Sequence, residues 1–349
     1  MSNLKEKVLE TIKKYNLIEE GDKLVVAVSG GPDSICLLDI LNEIIKKEIN
    51  YQEGPSPVAK NCQKGPSPMA TLVVAHVNHM IRVEADSDEA FVRDYCKKNN
   101  IEFYSKSIDV KKLANNSKIG VEEAGRIARY DFFDEVMQKT NANKVAIAHN
   151  MNDRAETVIM NLLRGSGVSG LIGIEAKRGI YIRPLIECDR LEIEEYCNSN
   201  NLNPRIDKTN FDNTYTRNKI RNVVIPYIKE EFNPNIINTL NRLSDLACDE
   251  EAFIENQVVI KYKELLCNEN KKEIILDLKG FNNQEKVIKS RIILYTITRL
   301  FGTSKGIEKI HIEDIIKLCS NNIGNKYLTP NKKIKVLVKN HKIYFISQI

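Results

Sequence analysis

Leu24-Val25-Val26-Ala27-Val28 is an apolar, β-branched run with no polar alternation, and it ends in Ser29-Gly30-Gly31-Pro32-Asp33-Ser34. A strand without alternation is buried on both faces. The glycines and the proline stop it, and Ile35, Leu37, Leu38, Ile40, Leu41 and Ile44 then repeat at helical spacing. Similar apolar runs recur at 71–75, 101–104 and 144–148, each followed by an amphipathic stretch at 87–98, 121–138 and 153–163. Buried strands alternating with helices predict an α/β fold, a doubly wound and mainly parallel sheet with helices on both faces. Such sheets bind ligands beyond the carboxyl ends of their strands.

A chain of 349 residues exceeds a usual single domain. The α/β pattern covers residues 1–225. Within it, Gly54-Pro55-Ser56-Pro57 and Gly65-Pro66-Ser67-Pro68 deny helix and ladder alike, so 51–69 reads as a surface insertion. Residues 226–270 read as a helical linker, with Ile236, Leu240, Leu243 and Leu246 at helical spacing. Residues 271–349 read as a small α+β domain, with helices near 285–301 and 308–319 and strands at 335–339 and 342–346 around a tight Asn340-His341 turn.

No apolar run reaches the roughly 18 residues of a membrane span, and the polar N-terminus lacks the core of a secretory signal. The expected location is the cytoplasm. Eight cysteines without a C-x-x-C pair argue against a zinc ribbon, an iron-sulfur cluster and a redox pair. They read as reduced, mostly buried hydrophobes. The net charge of +5 is modest, but residues 205–229 hold six basic and two acidic side chains, and the chain from Lys326 onward holds six lysines and no acid. Such strips suit a polyanion such as nucleic acid, although a solvated face explains many charge runs.

In the Ser29–Ser34 turn, successive backbone N–H groups and a helix N-terminus converge where an anion belongs. The loop lacks the lysine of a Walker A sequence. Asp33 is its oddity. A carboxylate facing phosphates requires a cation between them, Mg²⁺ or an ammonium; the alternative is a plain helix cap. Asp153 and Glu156, three apart on a predicted helix just after a strand, face one way and suit the same cations, or merely complement the helix dipole. His76 and His79 lack a third ligand for zinc. Arg126 and Arg129 share a helix face and match phosphate oxygens, or pair with Glu122 and Glu123. Arg164, beside Gly165 and Gly167, marks a second cationic loop, and Arg217, Lys219 and Arg221 fall in the first basic strip.

Seven segments in order over residues 24–226 resemble the PP-loop family of N-type ATP pyrophosphatases, specifically its lysidine synthetase branch. They are the Ser29–Ser34 hexapeptide, His76-Val77-Asn78-His79-Met80-Ile81-Arg82 with Ser87, and Glu122-Glu123 with Arg126, Arg129, Tyr130 and Phe133. Then follow His149-Asn150 with Asp153, Glu156 and Thr157, Leu162-Leu163-Arg164-Gly165-Ser166-Gly167, Arg183-Pro184-Leu185, and Asp207 and Asn210 leading to Arg217, Asn218 and Arg221. The resemblance implies a sheet of the adenine nucleotide alpha hydrolase type. It implies an ATP site at Ser29, Gly30, Gly31, Pro32, Asp33, Ser34, His76 and His149, with Mg²⁺ on Asp33. Catalytic roles fall to Asp33, Asp153, Glu156 and Arg217, lysine binding to Asp153 and Glu156, and phosphate or tRNA contacts to Arg82, Arg126, Arg129, Arg164, Lys219 and Arg221.

The implied reaction adenylates the C2 oxygen of the wobble cytidine in the CAU anticodon of tRNA(Ile). The ε-amine of free L-lysine then attacks C2, giving lysidine, AMP and pyrophosphate. The C-terminal domain is expected to touch tRNA, and a homodimer is an assembly left open. The rival readings are another PP-loop tRNA-modifying enzyme, by thiolation or amidation, and a catalytically silent tRNA-binding protein. The missing C-x-x-C pair and glutaminase half weigh against the first, and the intact Asp33, Asp153 and Glu156 against the second. The Gly-Pro-Ser-Pro insertion departs from the family pattern, as does Leu328-Thr329-Pro330-Asn331 where relatives tend to have a Leu-Pro-x-Gly turn.

Overall fold

The computed structural model describes residues 4–52, 70–80, 85–205, 214–321 and 326–348. Both Gly-Pro-Ser-Pro repeats, Arg82, Asp207 and Asn210 lie outside them. The chain forms two compact units, Met1–Asp245 and Leu246–Ile349.

In the first unit, β1 (Asp22–Ala27), β2 (Ala70–Asn78), β3 (Glu102–Ser107), β4 (Lys144–Ala146), β5 (Lys177–Arg178) and β6 (Tyr181–Ile182) build one sheet in the order β3-β2-β1-β4-β6-β5. All its pairings are parallel except that of β5 with β6. The helices are α1 (Leu4–Lys14), α2 (Pro32–Gln52), α3 (Ala85–Asn99), α4 (Val110–Ser117), α5 (Val121–Thr140), α6 (Met151–Leu163), α7 (Val168–Leu171), α8 (Arg190–Ser199), α9 (Thr216–Lys219) and α10 (Ile225–Glu231). Side chains alternate across a strand. Leu24, Val26 and Val74 therefore enter one core with α1, α2, α3 and α8, while Val25, Val73 and Ala75 meet Phe132, Phe133 and Val136 of α5 on the other face. Each such fully buried valine or leucine contributes roughly 2 kcal/mol, so Val25→Asp in this two-sided core would break the sheet at its centre.

The chain moves outward from β1 through β2 to β3, then returns to place β4 on the other side of β1. That reversal makes the carboxyl ends of β1 and β4 the topological switch point, where open α/β sheets bind ligands. The strand expected at 144–148 keeps the ladder only to Ala146, although Ile147 N still donates to Ile182 O at 2.9 Å.

Helix α11 (Ile236–Leu265) runs through the expected linker, and the boundary between the two units falls within it. The second unit adds α12 (Leu278–Asn282), α13 (Lys286–Phe301) and α14 (Lys309–Ser320) to an antiparallel sheet ordered β7-β8-β11-β10-β9, formed by β7 (Leu266–Glu269), β8 (Glu273–Asp277), β9 (Tyr327–Asn331), β10 (Ile334–Lys339) and β11 (Lys342–Ser347). Only two of its five strands were expected. Asn340 and His341 both take positive φ, 50° and 57°, as a two-residue hairpin turn of type I′ demands. Among the described cysteines Cys36, Cys96, Cys188, Cys197 and Cys319 are buried and none is paired. No described helix is long and apolar enough to cross a membrane.

Candidate active site

The loop after β1 is held by its own hydroxyls. Ser29 N donates to Ser34 Oγ at 3.1 Å, and Ser34 Oγ donates to Gly31 O at 3.0 Å. Gly30 takes φ +93°, a conformation that a side chain would strain, and its carbonyl accepts from Arg205 N at 2.9 Å. Pro32 opens α2, where its missing donor is no loss. The amide N–H groups of Gly30, Asp33 and Ser34 find no acceptor among the described residues. With the dipole of the 21-residue α2 behind them, they form a cradle for an anion.

Asp33, in the first turn of α2, is half-buried. Asn150 Nδ2 donates to its Oδ1 at 2.9 Å, and its second oxygen has no partner among the described residues. Burial, then the nearby Asp153 charge, push this carboxyl up to about 6, against the pull of Arg190, Asn150 and Arg221. Asn150 also caps α6. Its Oδ1 accepts from Asp153 N at 3.0 Å while its own N–H donates to Asp153 Oδ2 at 3.1 Å, a reciprocal capping box. One asparagine thus links the loop after β1 to the helix after β4.

Asp153 and Glu156 are buried on the first turns of α6, Glu156 to 1% exposure. Three arginines converge on them. Arg221 donates to Glu156 from Nε at 2.6 Å and from Nη2 at 2.8 Å, and to Asp153 Oδ1 from Nη2 at 2.9 Å. Arg217 reaches Glu156 Oε2 from Nε at 3.0 Å and Asp153 Oδ1 from Nη2 at 3.2 Å. Arg190 stands 3.6 Å from an oxygen of each. Burial pushes the Asp153 carboxyl up, but the surrounding charges, Arg217 foremost, outweigh it and hold the group below the usual carboxylate range. Burial likewise opposes the Arg217 and Arg221 charges, yet the two carboxylates hold both above their ordinary values. Arg217 lies on α9 and Arg221 on the π turn Ile220–Val224 that continues it, while Ile220 and Ile225 anchor this segment in a core shared with Ala155 and Ile159 of α6.

Beside this cluster, half-buried His149 accepts at Nδ1 from Arg183 Nε at 3.1 Å. Burial first, then the charges of Arg183, Arg217 and Arg129, overcome the pull of Asp153 and push His149 down to about 4. His76 is different. It is 3% exposed and donates from Nδ1 to Val28 O at 2.8 Å, bracing the backbone directly before the loop. His79 packs against α5 at Gly125, where an added Cβ would come within 3.8 Å of its ring. On the same helix Arg129 Nε donates to Gly125 O at 3.2 Å, and Arg126 lies over the Tyr130 ring at 4.9 Å.

The structure therefore joins Asp33, Asp153, Glu156, Arg217, Arg221 and His149 around the Ser29–Ser34 loop. It does not bring Arg164 there, because that residue caps the far end of α6, eleven positions and about 16 Å along the axis from Asp153. Lys219 is exposed on the outer side of α9, and Arg82 lies outside the described residues. Arg190 lies outside every motif legible in the sequence, and Asn150 and Arg183 carry no role there beyond their place in a motif. One signal for Arg190 was present: a cation in the first turn of a helix opposes the helix dipole and calls for a local counter-charge.

A family model described as a PP-loop domain matches residues 1–228. The chain is 43% identical over 332 residues to the tRNA(Ile)-lysidine synthase of Clostridium tetani, covering 95% of this chain and 66% of that one. Against the tRNA(Ile)-lysidine synthase of Clostridioides difficile it is 41% identical, with 98% of this chain and 70% of the relative covered. It thus spans about two thirds of the length of the curated relatives it matches. Among solved structures, a U34-tRNA thiolase from Methanococcus maripaludis matches 69% of this chain and 78% of its own, with a TM-score of 0.52 and 18% identity, a likeness of fold.

Proposed function

The chain belongs to the PP-loop family and to its tRNA(Ile)-lysidine synthase branch, and from that premise we propose that it uses ATP to join lysine to the wobble cytidine of a CAU-anticodon tRNA(Ile). The observation that carries the reading is the buried carboxylate pair at the switch point, Asp153 and Glu156, held by Arg190, Arg217 and Arg221 beside an amide cradle that suits phosphate. A carboxylate pair that binds guanidinium groups next to an anion cradle fits a reaction between a cationic amine, taken in place of a guanidinium, and a nucleotide.

The chain's own residues act as follows in this proposal. The N–H groups of Gly30, Asp33 and Ser34 hold phosphate oxygens of ATP, and the helix dipole favours the charge that builds at the α-phosphate when the cytidine oxygen attacks. Asp33 would hold Mg²⁺ through its unpartnered oxygen. Among the described residues no three His, Cys, Asp or Glu side chains gather as a metal cage, which fits an ion bound by one carboxylate and substrate phosphates. When bound, Mg²⁺ supplies neutralisation of the phosphate charge. Asp153 and Glu156 take the lysine ammonium in competition with Arg190, Arg217 and Arg221. A guanidinium displaced there is released to pair with phosphate, in a cluster where the charges of Arg190 and Arg221 already act on the Asp33 carboxyl.

The test incubates the chain with CAU-anticodon tRNA(Ile), Mg²⁺-ATP and labelled lysine. Label enters tRNA with lysine preferred over other amino acids and with one AMP released per lysine. AMP release that is indifferent to lysine would overturn the lysine assignment while leaving ATP use intact.

A further inference from the structure

The Arg183-Pro184-Leu185 segment has no role in the reaction outlined above, yet it places a charge against the site. Arg183 is 6% exposed, follows β6 and donates from Nη1 to Glu175 O at 2.7 Å and from Nε to His149 Nδ1 at 3.1 Å. No carboxylate among the described residues forms an ion pair with it. A buried guanidinium without a counter-ion is unusual, so its two acceptors matter.

A guanidinium carries donors and no lone pair, and it keeps its charge throughout the ordinary pH range. In the contact with His149 the arginine must donate, so the imidazole lone pair sits on Nδ1. A neutral imidazole whose Nδ1 accepts carries its proton on Nε2. That second nitrogen has no hydrogen-bond partner among the described residues and is not shut away from solvent. We infer that Arg183 is a positioning residue that fixes His149 as the Nε2-protonated neutral tautomer, so that His149 meets the bound nucleotide as a hydrogen-bond donor and not as a proton acceptor.

The charges facing the ring agree. Arg183 after β6, Arg217 from α9 and Arg129 from α5 oppose a second proton, and Asp153 from α6 is the one that favours it. Asp153 is itself engaged by Arg217 and Arg221. A proton arriving at Nδ1 would face the Arg183 N–H, which is repulsive. His149 is therefore removed from the set of bases available to the lysine amine. The identity of the ligand rests on the proposed function, whereas the tautomer does not.

Nitrogen-15 NMR of the full chain, with the His149 ring signals assigned by their loss in His149→Gln, reads the tautomer directly. Between pH 5.5 and pH 8 the Nδ1 signal stays at the unprotonated position and the Nε2 signal at the protonated one. Arg183→Met releases the ring: both tautomers appear, the ring takes up its second proton at a higher pH than in the unmodified chain, with burial and the Arg217 and Arg129 charges still holding it below the ordinary histidine value, and the KM for ATP rises about five- to ten-fold, the worth of one hydrogen bond. Arg183→Lys, which still offers a donor, restores the Nε2-protonated signal. An Nδ1-protonated ring, or an imidazolium at pH 7 in the unmodified chain, overturns the inference, and so does an unmoved tautomer in Arg183→Met. Should that variant fail to fold, the unmodified chain and Arg183→Lys decide alone. The expected tautomer in a chain that transfers no lysine would instead count against the proposed reaction.

Discussion

Asp33 is the residue at which stability and the proposed chemistry oppose each other. Its carboxyl is raised to about 6 in the folded chain, against about 3.9 when unfolded. As pH rises from 4, the unfolded chain gives up this proton first and the folded chain keeps it, so folding loses stability until pH passes 6 and the loss levels off. At pH 7.5 that cost is on the order of 2–3 kcal/mol. Asp33→Asn keeps the oxygen that accepts from Asn150, so it is expected to raise the urea midpoint at pH 7.5, to leave it unchanged at pH 4, and to lose pyrophosphate release. A variant that gains no more over the unmodified chain at pH 7.5 than at pH 4 would remove the burial argument. At Glu156 the loss of the charge is expected to cost stability. Glu156→Gln keeps the shape but sets a neutral amide against Arg217 and Arg221 in a site 1% exposed. Breaking one partner of a buried ion cluster costs about 3–5 kcal/mol, which urea denaturation at pH 7.5 would register, together with a raised KM for lysine. A loss below 1 kcal/mol would mean that the arginines find other partners.

At the scale of elements, one capping side chain, Asn150, hydrogen-bonds α2 to α6. Asn150→Ala removes the acceptor for Asp153 N and the donor to Asp33 together. The cap alone is worth about 1–2 kcal/mol, and amide hydrogen exchange is expected to speed up over the first turn of α6, residues 151–154, while the far end of the helix keeps its protection. Uniform loosening of the whole helix would argue that tertiary packing, not the cap, sets that end. This joint also shows what a sequence discloses. The β1 run is legible because both of its faces are buried, and Asp153 with Glu156 is legible because i,i+3 positions share a helical face. In the second unit β10 and β11 are legible, whereas β7 is short and mostly exposed, β9 lacks a clear period, and β8 spans only five residues although Ile274 and Leu276 alternate inward. The two-residue β5 and β6 are too short to carry any period. The partners of the carboxylates are a different matter: Arg217 and Arg221 lie more than sixty positions away on a segment with a π turn. No local pattern states that a basic strip read as a polyanion surface turns two of its arginines inward onto acids. Arg190 escaped for the same reason, because its counter-charges belong to another helix.

At the scale of the molecule, the boundary between the two units falls inside a continuous helix, and what matters is whether each side owns its core. The second unit does. Val258, Tyr262, Leu265, Ile274, Leu276, Phe281, Ile292, Ile293, Ile297, Ile315, Ile334, Val336, Ile343 and Phe345 form one buried cluster drawn wholly from residues after 246. Its helices α13 and α14 pack on a sheet whose strands, among the described residues, pair with one another. Burial of this kind sustains a domain of about a hundred residues without help from disulfides or metals. Residues 246–349 expressed alone are therefore expected to unfold in a single cooperative urea transition, with a slope of about 1–3 kcal/mol per molar, and circular dichroism and near-ultraviolet signals should fall together. Phe345→Ala, at a fully buried position on the central β11, should remove about 3–5 kcal/mol of that stability. A fragment with helical signal but no cooperative transition would show instead that the first third of α11, before residue 246, is needed to nucleate the unit. The six lysines from Lys326 onward lie on this same unit, so the isolated fragment is also the proper object for asking whether the second basic strip binds RNA without the first.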